Sequence, residues 1–492
     1  MLDSIIGLDI GTTNAKALIY DLAGVELAHS EAAYPINAPH PGWAEQNPAE
    51  VWRATLLALK SAIDNAGQNL HTLALAVASQ SGSLVPADDS GAPLYPSITW
   101  MDGRTEALLK EWLTQHISAR VRAISGWNIH AGLPLATIAW LQRHMPELYC
   151  SVRRWLCMND YIVHRLTGRF VTNPSNGSVM QMMELAAAGW SAELLELVGA
   201  RPDQFSPVQP SGTVVGQVTE EVARAAGLSL DTQVVNGGHD QSCTALALGV
   251  LEPRQALLAC GTSWVVTAIS DHPDIAALQP ELDMNFHVVP QRWTVSQSLG
   301  GLGASMEWLI GECWQEIPDR QQRYAAMDGE VAHTAQDHAG LVFIPAAGGH
   351  TAPAGMQRGG FINLNLGHTR AHLARAVMES AASELSLALQ HMQTDALRTT
   401  TLWMVGGATR SSHWPAIVAD AVGHPLRVTQ SSHLPAVGAA ILAGLGAGVY
   451  RDVHTALRSF RQPEQTYTPD SARMRVYADR LPEYVRLTSL FG

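Results

Sequence analysis

The chain lacks any cysteine pattern that could staple it or bind a metal. Its five cysteines, Cys150, Cys157, Cys243, Cys260 and Cys313, are odd in number and include no Cys-x-x-Cys pair. That argues against a disulfide framework or a zinc site and makes a reducing cytoplasm the expected compartment. No Gly-x4-Gly-Lys-Ser/Thr sequence occurs, so nucleotide phosphates cannot be held by a Walker loop. Long like-charge blocks are absent, and the formal net charge is −13, which speaks against a nucleic-acid partner. Any anionic ligand must therefore be held locally, by loop amides, a metal and a few Arg or Lys. Long apolar runs are missing too. The longest uncharged stretch, residues 434–450, is broken by Pro435, Gly438, Gly444, Gly446 and Gly448, so a packed core helix is expected and no membrane span. Asp3 precedes a strand directly, with no basic segment before it, so no secretory leader is expected.

What is present is a pair of Gly-Thr turns between apolar strands. Residues 5–21 read as a buried strand, the turn Gly11-Thr12-Thr13, and a second strand starting near Asn14. Gly11 lets backbone approach a ligand closely, and the N–H and hydroxyl groups that follow can cup a phosphate. Asp9 projects from the strand end into the same space, where a carboxylate can hold a hydrated magnesium ion. A glycine hairpin is also a common structural device with no ligand at all. A second copy, residues 256–269, places Gly261-Thr262-Ser263 between apolar runs. Two such hairpins half a chain apart suggest a duplicated nucleotide-binding fold with phosphates between its lobes.

The 492 residues, 47% of them apolar, suffice for two large domains and a deep cleft, with boundaries expected at 1–248 and 249–492. Asn47-Pro48 should open a helix, with Glu50 answering the Asn47 cap and Trp52, Leu56, Leu59 and Ile63 on its buried face. Residues 73–79 read as a buried strand and 105–200 as mostly helical. Residues 202–216 look like a connector. Residues 234–241 read as strand, glycine turn and helix start. Residues 314–340 suggest a polar surface excursion, 345–360 a Gly/Pro/Ala loop, and 372–392 a long amphipathic helix. Residues 400–405 form a strand entering Gly406-Gly407-Ala408. Strands alternating with helices argue for α/β architecture in both halves.

Phosphoryl transfer to a hydroxyl needs phosphate cups, a metal and a base. Asp240 is the base candidate, because it follows two glycines at the end of an apolar strand where a helix begins; a helix N-cap is the plainer role for such an Asp. Beside it, His239 reads as a loop histidine with no chemical part. Trp100-x-Asp102-x-Arg104 offers a ring face for a polyol, an acceptor for hydroxyls and a rigid donor fork. A surface Asp–Arg pair beside a core Trp is the competing account. Gly300-Gly301-Leu302-Gly303 either lines the cleft or forms a flexible loop before a helix at 306–310.

In order along the chain, these motifs resemble the FGGY carbohydrate kinases. Gly-Leu-Asp-Ile-Gly-Thr-Thr, Pro41-Gly42-Trp43-Ala44-Glu45-Gln46, Trp100-Met101-Asp102-Gly103-Arg104, Asn159-Asp160-Tyr161-Ile162, Leu166-Thr167-Gly168, Gly237-Gly238-His239-Asp240, Gly261-Thr262-Ser263, Arg375 to Glu379 and Gly406-Gly407-Ala408 carry the resemblance. It implies two actin-like ATPase (ribonuclease H-like) domains flanking a catalytic cleft, with ATP–magnesium and sugar meeting there. It implies Asp240 as base and Asp9 near the metal. ATP would be held by Thr12, Thr13, Asn14, Gly261, Thr262, Gly301, Gly406, Gly407 and Ala408. The sugar or polyol would touch Gln80, Trp100, Asp102, Arg104, Asp240 and Gln241. The expected partners are that small molecule and, at most, a second copy in a homodimer; nucleic acid and membrane are not expected.

Departures from the family bear on substrate. Xylulose-type members carry Gly-Gln-Met-His-Gly where this chain has Ser79-Gln80-Ser81-Gly82-Ser83, and glycerol-type members carry Asn-Gln-Arg-Glu. The smaller groups suggest a roomier pocket with fewer fixed donors, and a substrate other than xylulose or glycerol: a larger ketose, an aldonate or another polyol. Thr137 stands where many members have Lys, and Gly349 to Pro353 replaces a Gly-Glu-Arg-x-Pro loop; both lie away from the base, so activity should survive. A nucleotide-driven scaffold and a catalytically silent sugar sensor remain open alternatives.

Overall fold

The computed structural model describes residues 1–67, 69–334, 340–345, 359–394 and 397–489. Each lobe is built on one mixed sheet. In the first, the order is Glu26–Ala33, Asn14–Asp21, Leu2–Ile10, Leu70–Ser79, Gln233–His239, Val214–Gln217. In the second it is Asp283–Phe286, Trp293–Gly300, Trp264–Ser270, Gln255–Cys260, Thr401–Gly406, Leu426–Val428, Gln465–Tyr467. Leaving aside the extra edge strand Asp283–Phe286, both sheets run antiparallel, antiparallel, parallel, parallel, antiparallel from the hairpin side. The duplication expected from the two Gly-Thr turns is therefore present in strand order as well as in the turns.

The strands at each sheet's centre are largely apolar because both faces are covered. In Leu2–Ile10 every residue from Ser4 onward is buried. Helix Pro48–Asn65 packs on one face, its N-terminus capped by Asn47, whose side chain accepts from Ala49 N at 3.0 Å. Glu50 does not complete that cap; it pairs instead with Arg53, one turn on.

Two helices fill the space between the lobes: Asp240–Ala247 and Leu434–Gly446. They share one core with residues of both sheets, among them Ile5, Ala76, Leu257 and Val405. The second helix approaches its neighbours backbone to backbone. A methyl group on Gly7 would lie 1.8 Å from the Ala436 carbonyl oxygen, and one on Gly438 would lie 2.1 Å from that of Cys243. That proximity explains the Ala/Gly richness of residues 434–446, and among the described residues no helix is long and apolar enough to cross a membrane. Although this helix belongs to the C-terminal half in sequence, it packs on the N-terminal sheet, so packing divides the chain differently from residue number.

Two expectations change. Gly237 and Gly238 lie inside strand Gln233–His239 and form no turn; the register shifts there, and a methyl on Gly237 would sit 1.9 Å from Val77 O. Gly301 caps a helix beginning at Leu302, well before 306. The 314–340 region carries a polar surface helix, Arg320–Val331, with only Met327 and Val331 buried, and one side of it also lines the cavity described below. The long helix near 372–392 spans Arg370–His391, while most of the 345–360 loop lies outside the described residues.

Gly438→Leu should lower the unfolding free energy by about 3 kcal/mol in urea titration, because the helix cannot back away from Cys243 without opening the shared core. Gly311, which has nothing within 4 Å of its added methyl position, should behave oppositely. Gly311→Ala should stabilise by about 0.5–1 kcal/mol through helix propensity alone.

Candidate active site

Leu2–Ile10, Leu70–Ser79 and Gln233–His239 are neighbouring parallel strands that end at one level, with Ile10 opposite Ser79 and Ser79 opposite His239. Carboxyl ends of adjacent parallel strands form a crevice where side chains from distant sequence meet. Here they bring together Asp9, Gln80 and Asp240.

Asp9 is buried and sits directly across the hairpin from Lys16, whose Nζ lies 3.3 Å from its Oδ2. Burial pushes its carboxyl up to about 6, Lys16 opposes that rise, and the Asp240 charge adds to it. Lys16 carries no glycine-loop signature and is a site residue that sequence reading missed; the cross-strand register was its only signal. Asp240 is the first residue of its helix. Its Oδ1 accepts from Gln241 N at 2.7 Å and lies 3.0 Å from His239 Nε2, while Oδ2 has no partner among the described residues. The N-cap position falls on His239, not on Asp240, so the plainer capping role is not the one Asp240 takes, and His239 is in contact with its carboxylate instead of standing apart.

Gln80 N donates to Ile10 O at 2.8 Å, and its Nε2 donates to Gln46 Oε1 at 2.9 Å. Gln46 in turn donates to Thr12 O at 2.5 Å, and Trp100 Nε1 reaches Thr12 Oγ1 at 3.3 Å. The first hairpin, Gln80 and Trp100 therefore form one bonded unit. Thr13 O accepts from Tyr34 N, and the Asn14 side chain turns toward Glu31 on the outer strand.

Asp102 and Arg104 reverse the surface-pair account: both are buried, and Trp100 is the exposed member at 39%. Asp102 accepts from Ala44 N (2.7 Å), Arg104 N (2.9 Å), Nε (2.7 Å) and Nη2 (2.8 Å). A buried carboxylate must be so satisfied, which leaves it no spare acceptor for a hydroxyl. Arg104 also bonds Glu45 at 2.7 Å and lies 3.7 Å over the Trp43 ring. Its Nη1 is buried without a partner among the described residues.

The Ser79 to Ser83 segment is not an enlarged space. Ser81 donates to Asn176 Oδ1, a residue of helix Pro174–Val179 that sequence reading did not single out. Gly82 has φ +78°, and a methyl there would meet Leu133 Cδ2 at 2.5 Å. The volume given up by the smaller residues is occupied by Leu133 and Trp100. Thr137, buried, bonds Leu133 O within its own helix.

In the second lobe a cavity of about 970 Å³ is lined by Gly261, Thr262, Gly303, Ala304, Gly407 and Ala408. Gly301 and Gly406 do not line it. Gly301 takes the helix-capping position, and at Gly406, with φ +100°, an added methyl would lie 2.4 Å from Cys260 O. The far wall comes from Glu307, Arg320, Tyr324 and Asp328. Arg320 bonds both Glu307 oxygens at 2.7 Å, and Asp328 accepts from Ser412 N at 2.9 Å, which fixes the turn after Ala408. These polar wall residues had no motif, only a helical pattern.

Among the described residues no group of three metal-ligating side chains occurs. A magnesium ion bound through one or two carboxylates, waters and phosphates needs none, and a buried carboxylate raised by desolvation suits a cation. Asp9 fits that role.

A model of the N-terminal domain of the FGGY family of carbohydrate kinases matches residues 4–247, and one of its C-terminal domain matches 256–447. The chain belongs to the FGGY family of carbohydrate kinases. The chain is 28% identical to a xylulose kinase of Escherichia coli, over 98% of each chain, and 28% identical to an autoinducer-2 kinase of Yersinia enterocolitica, over 96% of this chain and 92% of that one. The crystal structure of xylulose kinase from Rhodospirillum rubrum superposes with a TM-score of 0.90 at 27% identity, covering 99% and 98%. Gluconate kinase from Lactobacillus acidophilus gives 0.91 at 21%, with the same coverage, and supports the fold alone. This FGGY kinase is thus an enzyme that phosphorylates a carbohydrate with ATP, on the two-domain actin-like fold.

Because the folded Asp9 carboxyl is held above its ordinary value of 3.8, its protonated form stabilises the fold. That contribution is complete below 3.8 and is lost as pH rises through about 6. Asp9→Asn should therefore stabilise the ligand-free enzyme at pH 8 by up to about 3 kcal/mol more than at pH 4. Urea unfolding at the two pH values measures it; an equal effect at both would refute the burial account.

Proposed function

We propose that Asp240 takes the proton from a hydroxyl of a small sugar, sugar acid or polyol as that oxygen attacks the terminal phosphate of ATP. The observation that carries this is the division of labour on the carboxylate. Oδ1 is engaged by Gln241 N and His239, whereas Oδ2 is unengaged at the crevice formed by the three strand ends. Proton removal by a positioned carboxylate, phosphate cups and charge neutralisation are the parts such a transfer needs.

The other residues divide accordingly. Gly261, Thr262, Gly407 and Ala408 line the nucleotide cavity, and the Thr12-Thr13 hairpin with Lys16 would supply the phosphate contacts from the first lobe. Asp9 would hold magnesium, which supplies charge neutralisation on the phosphates. Gln80, Trp100, Gln241 and the unpartnered Nη1 of Arg104 contact the acceptor, while Asp102 acts by holding Arg104. The reading includes a cytoplasmic location and admits a homodimer.

Substrate selection should differ from that of the xylulose kinases. A His at position 82 would need space already taken by Leu133 and a φ of +78°. Because Leu133 and Trp100 fill the space beside Gly82, the acceptor is an aldonate or another polyol that differs from xylulose in the groups it presents there, and a merely larger ketose is not favoured.

A coupled assay of ADP release over a panel of sugars, sugar acids and polyols tests the substrate class. Xylulose far ahead of every other compound would overturn it. Asp240→Asn should lower kcat by about 10³-fold while ATP binding by calorimetry is unchanged; retained turnover would remove Asp240 from its role.

A further inference from the structure

Strand Asp283–Phe286 is the edge of the second-lobe sheet, paired on one side with Trp293–Gly300. Its other edge lies against the first lobe. Met284 N donates to Gly126 O at 2.8 Å. Met284's side chain is in the second-lobe core, so Asp283 and Asn285, two residues apart, share the opposite face. Both are buried and both reach across. Asp283 Oδ1 accepts from Asn128 N (2.8 Å) and Nδ2 (2.9 Å), and its Oδ2 lies 2.8 Å from His130 Nε2. Asn285 Nδ2 donates to Ser175 O at 3.0 Å. Close by, Arg122 Nη2 donates to Gln279 O at 2.8 Å.

What these contacts hold is the surround of the acceptor site. Segment 126–133 runs from the Asp283 contact to Gly132, where a methyl would lie 2.3 Å from Trp100 O, and to Leu133, which fills the space beside Gly82. Helix Pro174–Val179 carries Asn176, which holds Ser81, and Ser175, whose Oγ accepts from His239 N at 3.0 Å. Trp127 Nε1 ties the two together through Ser178 Oγ at 3.0 Å.

We propose that Asp283 is a positioning residue for the acceptor, contributed by the lobe that binds the nucleotide. It fixes segment 126–133 over Trp100 and Gly82, so the sugar-side wall takes its working shape only when the lobes are in register. This rests on the kinase reading above. Loss of the carboxylate frees the wall without touching the nucleotide cavity, so acceptor affinity falls and ATP affinity does not.

The test compares Asp283→Ala and Asp283→Asn in the full-length enzyme, with the best acceptor from the panel and ATP. Asp283→Ala should raise the acceptor KM about tenfold, with the ATP KM within about twofold. Asp283→Asn keeps an oxygen for Asn128 and should stay within about threefold of wild type. Hydrogen exchange at Asn128 and Met284 should quicken together in Asp283→Ala. An unmoved acceptor KM, or equal shifts in both KM values, overturns the positioning role while leaving the kinase intact. A wild-type enzyme inactive across the whole panel instead overturns the kinase reading, and the positioning role with it.

Discussion

Backbone contact through glycine sets the geometry on which everything else depends. Helix Leu434–Gly446 can lie against strand Leu2–Ile10 because Gly7 has no side chain, and against helix Asp240–Ala247 because Gly438 has none. The second of these helices begins at Asp240. The depth at which the two helices nest therefore fixes where the carboxylate stands relative to Asp9 and Gln80. At such separations nothing can rearrange by a few tenths of an ångström without moving the shared core, so precision at the site comes from the absence of side chains some distance from it.

Electrostatics then works within that frame. A protein with a net charge of −13 handles an anionic substrate, so positive charge has to be local. Lys16 meets Asp9 across the hairpin, and Arg104 is wedged between Asp102, Glu45 and Trp43. Both cations are held by carboxylates in poorly solvated surroundings, where charge pairs keep their orientation and are little screened by salt. The cost of burying Asp9 is the counterpart: a carboxylate that is uncomfortable alone is one that favours a bound cation.

Much of this was legible before any fold was known. The two Gly-Thr turns, the Asp240 position and the strand–helix alternation all follow from local pattern, since strand apolarity and turn chemistry act over a few residues. Less legible were contacts that depend on which distant residues a topology juxtaposes. Gly237-Gly238 looked like a turn because glycine marks turns, yet close strand packing on Val77 is their reason. Helix Arg320–Val331 was legible as a polar surface helix, but that one side of it lines a cavity was not. Ser81 and Gly82 looked like empty space because sequence counts lost atoms and cannot see Leu133 move in.

By itself the sequence determined the family, the two Gly-Thr turns and the α/β alternation, because each is written in residues that are near neighbours along the chain. Only the tertiary structure decided which groups are left to a ligand. Asp102 proved fully engaged, Arg104 Nη1 and Asp240 Oδ2 did not, and a strand of the second lobe bonds segment 126–133 of the first. Hydrogen-bond satisfaction is a three-dimensional property: whether a polar atom is spent or spare depends on partners tens to hundreds of residues away, and no local pattern records them.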